Sequence, residues 1–66
     1  MEKYYSQDTP AREALRNMEV GDKAHFPINR LSVIRSTAST LGLELSRKYQ
    51  SRHHSKEGII TVTRLS

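Results

Sequence analysis

Residues 43–65 are the stretch that most constrains how this chain can fold. The run 59–63 (IITVT) is β-branched at every position, which favours a strand. Gly58 precedes it and tolerates the positive φ that a turn requires. Before this turn, residues 43–52 alternate between two faces, as a strand does. The stretch is therefore predicted to form a β-hairpin, and the residues predicted to face the core are Leu43, Leu45, Tyr49, Ile60 and Val62.

The first third of the chain predicts an arm followed by a short helix. Residues 1–8 are polar apart from two adjacent tyrosines, and we interpret them as a flexible N-terminal arm. Thr9 and Pro10 suit a helix start, since one supplies a capping hydroxyl and the other fits the first helical position. Apolar residues then recur at helical spacing from Ala11 to Met18, which predicts one buried stripe.

The middle of the chain predicts a strand and a second helix. Residues 23–28 alternate, with Phe26 expected at the centre of the core and His25 expected on the surface. Residues 30–41 carry an apolar stripe at helical spacing, and Gly42 is predicted to end this helix as a left-handed cap. Together these elements predict a single α+β domain over residues 9–66, with the order helix, strand, helix and hairpin. The three strands are expected to form an antiparallel sheet covered on one face by the helices.

Composition narrows the class of protein. A chain of 66 residues without cysteine has neither a disulfide framework nor a thiolate zinc site. No apolar run approaches the ~20 residues of a membrane span, and no signal-peptide pattern opens the chain. We therefore expect no membrane association and a cytoplasmic location. Because the core must be small, a homodimer or a bound partner would add to it.

Charge is distributed unevenly along the chain. Residues 1–22 carry three basic and five acidic side chains, whereas residues 23–66 carry eight basic and two acidic ones. The net charges of the two parts are thus −2 and +6. Such concentrated positive charge is typical of a protein that binds a polyanion, although a solvated basic face that keeps a small protein soluble has the same composition.

The candidate binding residues lie on the predicted hairpin and on one side of the second helix. That side of the helix combines one arginine with short hydroxyl side chains, which allow close approach to a phosphate backbone or a groove floor. In the predicted hairpin, several cationic side chains and one amide lie on the face that strand alternation turns towards solvent. The predicted nucleic-acid-binding residues are Ser32, Arg35, Ser36, Ser39, Arg47, Lys48, Gln50, Arg52, Lys56 and Arg64.

Catalytic patterns are missing from the sequence. The three glycines are dispersed and form no phosphate-binding loop. His53 and His54 are adjacent, and neighbouring strand residues point to opposite faces, so they make a poor metal chelate. No serine lies in a recognisable nucleophile setting. We therefore expect no enzymatic activity, no metal and no cofactor.

Several spaced motifs resemble a group of small proteins. They are MEVGD at 18–22, FP at 26–27, RKYQSR at 47–52 and VTR at 62–64. This arrangement resembles small uncharacterised proteins of tailed bacteriophages and mobile elements that share a VGD…FP…(S/G)RK(Y/F)x(S/T)R…VxR pattern. In those proteins a glycine often stands where this chain has Ser46. The resemblance implies a compact α+β domain in a phage or prokaryotic setting and supplies no function.

Two classes of function fit these observations. The first is non-enzymatic binding of double-stranded DNA by a small regulator or accessory factor. RNA or single strands are less favoured variants of it, because only Tyr49 and the N-terminal tyrosines offer a stacking surface. The second is a protein-interaction module or phage-type inhibitor, which docks on an acidic host protein or adds a strand to an exposed sheet edge.

Overall fold

The predicted α+β class is confirmed by a computed structural model, which describes residues 2–66. Two helices and four strands follow one another, and a single 3₁₀ turn, Ile28–Arg30, leads into the second helix. Neither helix of this described part is long and apolar enough to cross a bilayer. In chain order the elements are β1 (Glu2–Tyr4), α1 (Ala11–Arg16), β2 (Lys23–Pro27), α2 (Leu31–Leu45), β3 (Tyr49–His54) and β4 (Ile59–Arg64).

The strands form one mixed sheet in the order β1-β2-β4-β3. The antiparallel pairs β2–β4 and β4–β3 make up the predicted three-stranded part. The prediction lacked a fourth strand, because residues assigned to an N-terminal arm form β1 and pair in parallel with β2. Three residues are too few for a detectable alternation, so the sequence carries no signal for this strand. Met1, the first residue of the predicted arm, lies outside the described residues.

The hydrophobic core lies between the two helices and one face of the sheet. The predictions for Phe26, Ile60 and Val62 are confirmed, since all three are almost fully buried. The apolar stripe of α1 is buried as predicted, and α1 contributes Leu15 at the centre. Neither helix packs on the opposite face of the sheet, which we call the outer face. The largest fully buried side chains are Leu15, Phe26, Ile34, Leu41, Ile60 and Val62.

The second helix is longer than the sequence predicts. It continues through Gly42 to Leu45, and Ser46 is the residue with positive φ (53°) that ends it. The predicted cap at Gly42 is therefore wrong, as are the core-facing strand positions of Leu43 and Leu45, which are 84% and 38% exposed. The segment that follows the helix instead packs back against it at Gly42. A Cβ at this position would lie 3.0 Å from the carbonyl oxygen of Arg47.

The left-handed conformation of Ser46 leads to a stability prediction. A residue with a Cβ pays roughly 1–2 kcal/mol in this region of φ and ψ, whereas glycine does not. Because glycine also gains entropy in the unfolded chain, we expect Ser46→Gly to raise the free energy of unfolding by about 0.5–1 kcal/mol. Urea denaturation measures this change. Ser36→Gly in the middle of α2 is the matched control and is expected to lower it by about 0.5 kcal/mol.

His25 is buried on the outer face, so its predicted surface position is wrong. The side chain is only 7% exposed, and both ring nitrogens have partners. Nδ1 lies 2.8 Å from the hydroxyl of Thr61, and Nε2 lies 2.7 Å from a carboxylate oxygen of Glu2. An ionised carboxylate only accepts hydrogen bonds, so Nε2 is the donor to Glu2. The ring of Tyr4 stacks on the imidazole and completes its burial.

This arrangement predicts a dependence of stability on pH. The hydrogen bond from His25 lowers the pKa of Glu2 below its ordinary value of 4.5. A group whose folded-state pKa is lowered stabilises the fold above its unfolded pKa, and this contribution is lost as the pH falls through the folded pKa. When the pH is lowered from about 6 to about 3, we expect the Tm of Glu2→Gln to fall less than the Tm of the wild type. Thermal unfolding followed by circular dichroism measures both values.

The control for this experiment is Glu13→Gln. Within residues 2–66 the Glu13 side chain makes no hydrogen bond or ion pair, so the substitution removes one negative charge and no contact. If both variants reduced the fall of Tm at low pH by the same amount, the loss of one negative charge, and not the loss of the contact with His25, would explain the effect.

Candidate nucleic-acid interface

A groove lies between α2 and the start of β3, and we call it the α2–β3 groove. It forms because the chain reverses at Ser46, which returns the next residues along the last turns of the helix. Its volume is about 550 Å³. The residues that line it are Arg35, Ala38, Ser39, Gly42, Leu43, Arg47, Lys48, Tyr49, Ser51 and Leu65.

The α2–β3 groove carries positive charge without a compensating carboxylate among its lining residues. Arg35 and Lys48 are exposed, and the side chain of neither makes a hydrogen bond or an ion pair within the described chain. Ser39 adds a hydroxyl between them. Two unpaired cations beside a hydroxyl donor present the groups that bind phosphate oxygens in protein–DNA complexes.

Arg47 also lines the groove, but its guanidinium is engaged in the fold. Nη1 donates to the carbonyl of Arg16 at 2.7 Å and lies 3.1 Å from the hydroxyl of Tyr49. That hydroxyl in turn donates to the carbonyl of Leu15 at 2.9 Å. These carbonyls belong to the last turn of α1, where they lack partners within the helix. Arg47 and Tyr49 therefore act as a side-chain cap on the C-terminus of α1.

Arg64 has a similar structural role from the last strand. Its Nη1 donates to the carbonyl of Met18 at 2.8 Å, and its Nε donates to the carbonyl of Ser66 at 3.0 Å. The first of these bonds ties the segment after α1 to β4. On the other side of α1, Arg12 pairs with Glu44 of α2, and this hydrogen bond raises the pKa of Arg12.

The structure divides the predicted binding residues into separate regions. It brings Arg35, Ser39, Arg47 and Lys48 together in the groove. Ser32 and Ser36 are exposed on the same helix without lining the groove.

The remaining predicted residues lie elsewhere. Gln50 and Arg52 lie on the outer face, because strand alternation separates them from Tyr49 and Ser51. Lys56 lies in the turn between β3 and β4. The hairpin therefore does not present all its cations to one ligand.

Ser51 and Leu65 are among the groove residues that the predicted binding set does not include. Ser51 shares its strand face with Tyr49, so the same alternation that was used for Tyr49 identifies it. Leu65 reaches the groove because its amide donates to the carbonyl of Lys48 at 2.7 Å. That contact follows from the register of β3 against β4, which the sequence does not specify.

No cluster of three potential metal-ligating side chains occurs in the described part of the chain. The chain matches no protein-family model, no curated protein and no solved structure. The resemblance to small phage proteins therefore stays a prediction. The geometry of the groove and the charge around it are the observations on which a function can be proposed.

Proposed function

We propose that this protein binds double-stranded DNA without catalysing a reaction, and that the α2–β3 groove contacts the phosphate backbone. The observation that carries the proposal is the pair of unpartnered cations, Arg35 and Lys48, in a groove whose lining includes no carboxylate. The positive charge of residues 23–66 supports it, because a basic surface attracts a duplex over a distance of about a Debye length, ~8–10 Å.

Each groove residue has a distinct part in this proposal. The planar guanidinium of Arg35 suits bidentate contact with a phosphate, and Lys48 acts as a point charge at the neighbouring phosphate. The short side chains of Ser32, Ser36 and Ser39 let α2 lie close to the backbone. Arg47 keeps α1 and the start of β3 in place. These contacts position a duplex and read no bases, so the affinity is expected to depend weakly on sequence.

The experiment is a fluorescence anisotropy titration with a mixed-sequence duplex at salt concentrations from about 50 mM to about 200 mM. Two phosphate contacts predict a slope of about −1.8 in a plot of log K against log salt concentration. Contacts from Arg52 and Lys56 as well would steepen the slope to about −3.6. A slope near zero, or no binding at the lowest salt concentration, would contradict the proposal.

A second candidate function is docking on another protein. The observation that favours it is the apolar rim of the same groove, where Leu43 is 84% exposed and Leu65 is 52% exposed. A phage-type inhibitor acting on an acidic cytoplasmic host protein would use the same cations together with these leucines. Binding to one host protein that is lost in Leu43→Ser, together with no binding to a mixed-sequence duplex, would favour this function over DNA binding.

A further inference from the structure

The outer face of the sheet carries one continuous row of side chains across all four strands. Tyr4 pairs with His25, His25 pairs with Thr61, and Thr61 pairs with Arg52. Adjacent strands lie ~4.8 Å apart, so the backbones of Tyr4 and Arg52 are separated by roughly 14 Å. The row thus begins with an aromatic ring at one edge of the sheet and ends with a cation at the other.

The aromatic end of this row is held in a fixed orientation and is open to solvent. The Tyr4 and His25 rings are stacked, with centroids 4.4 Å apart and an interplanar angle of 21°. His25 is itself fixed by Thr61 and Glu2. Tyr4 is nevertheless 74% exposed, so the ring surface away from His25 is accessible. A large aromatic side chain exposed in this way offers a stacking surface for a planar ligand.

The other end of the row is a shallow basic pocket of about 310 Å³. Arg52 is exposed and its side chain makes no hydrogen bond or ion pair within residues 2–66, and Lys23 lies across the sheet from it. Gln50 and the threonines of β4 add neutral hydrogen-bonding groups, and no carboxylate lines the pocket. Among the paired residues of the described strands, Glu2 is the acidic side chain of the outer face, and it is engaged with His25.

We propose that the outer face is a second, separate binding site that takes single-stranded nucleic acid. A base stacks on Tyr4, while Arg52 and Lys23 contact the phosphates that follow along the row. A duplex does not fit this site, because its bases are paired and their faces are covered by neighbouring bases. The site lies across the sheet from the core-side α2–β3 groove, and the inference does not depend on the function proposed for that groove.

The test is a titration of a fluorescein-labelled oligothymidylate of about 12 nucleotides. Loss of one base stack corresponds to roughly 1–3 kcal/mol, or about 5- to 150-fold in Kd. We expect Tyr4→Ala to weaken binding by a factor in this range and Tyr4→Phe to retain it. Arg52→Ala is expected to weaken binding and to flatten the salt slope by about 0.9. Equal affinity of the wild type, Tyr4→Ala and Arg52→Ala would overturn the proposal.

Two further measurements separate this site from folding defects and from the groove. Arg52 is exposed on an edge strand, so Arg52→Ala decides the question even if Tyr4→Ala loosens β1. The variant Arg35→Ala/Lys48→Ala is expected to bind the oligothymidylate as the wild type does, and loss of binding there would place the single strand in the groove. An oligouridylate of equal length distinguishes RNA from DNA as the preferred strand.

Discussion

Leu41→Ala is expected to lower the free energy of unfolding by about 2–5 kcal/mol, which is the range measured for buried leucines in other cores. Leu41 is fully buried between α2 and the sheet, so the substitution removes apolar contacts and leaves a cavity. A chain of 66 residues has a total stability of roughly 3–10 kcal/mol. We therefore expect a large shift of the urea midpoint, followed by circular dichroism, and a measurable unfolded fraction without denaturant.

Leu43→Ala is the matched control, because it makes the same chemical change two residues further along the same helix. Leu43 is exposed in the structure, and we expect a change within about 0.5 kcal/mol. Had residues 43–45 formed a core-facing strand, as the sequence predicts, the two variants would lose similar stability. Equal losses would therefore contradict the longer helix that the structure shows.

Removing the two unpaired cations of the α2–β3 groove is expected to have the largest effect on DNA binding. Each charge-assisted hydrogen bond contributes roughly 1.5–3 kcal/mol, so Arg35→Ala/Lys48→Ala should weaken duplex binding by about 100-fold or more. The slope of log K against log salt concentration should flatten by about 1.8. Both values come from one set of anisotropy titrations. Neither side chain makes a contact within residues 2–66 that holds the fold together, so stability should be unchanged.

Arg52→Ala/Lys56→Ala is the charge-matched control for this experiment. It also removes two positive charges, but from the outer face and the hairpin turn. We expect only a small loss of duplex affinity from the reduced net charge. A loss equal to that of the groove variant would show that net charge, and not the groove, determines duplex binding. Arg47 is unsuitable for either variant, because its guanidinium caps α1 and its removal would destabilise the fold.

The spacing of apolar residues correctly predicted the parts of the fold in which one face of a helix or strand is buried. The stripes of α1 and α2, the central position of Phe26 and the core pair Ile60 and Val62 all follow from alternation or helical spacing, and all are confirmed. The errors occurred where long-range contacts decide the conformation. Glycine is a common helix terminator, but at position 42 it lies within the helix. The absence of a side chain there allows the carbonyl oxygen of Arg47 to lie close to the helix backbone.

The candidate site was predicted from charge, and charge alone does not show which cations are free. Arg47 and Arg64 look equivalent to Lys48 in the sequence, yet both donate to backbone carbonyls at or just after the C-terminal end of α1. His25 looked like a surface residue because its partners come from β1 and β4. To predict which polar side chains have partners, one needs the register of the strands, and local sequence patterns do not determine that register.

The order of the strands has a consequence for how the chain folds. Strand β4 lies between β2 and β3 in the sheet but comes last in the sequence. Until β4 is in place, β3 has no strand to pair with among the described strands, β2 is paired with β1 alone, and the carbonyl of Met18 lacks its partner Arg64. Folding is therefore expected to be governed by non-local contacts, which slows it relative to a helical bundle of equal length.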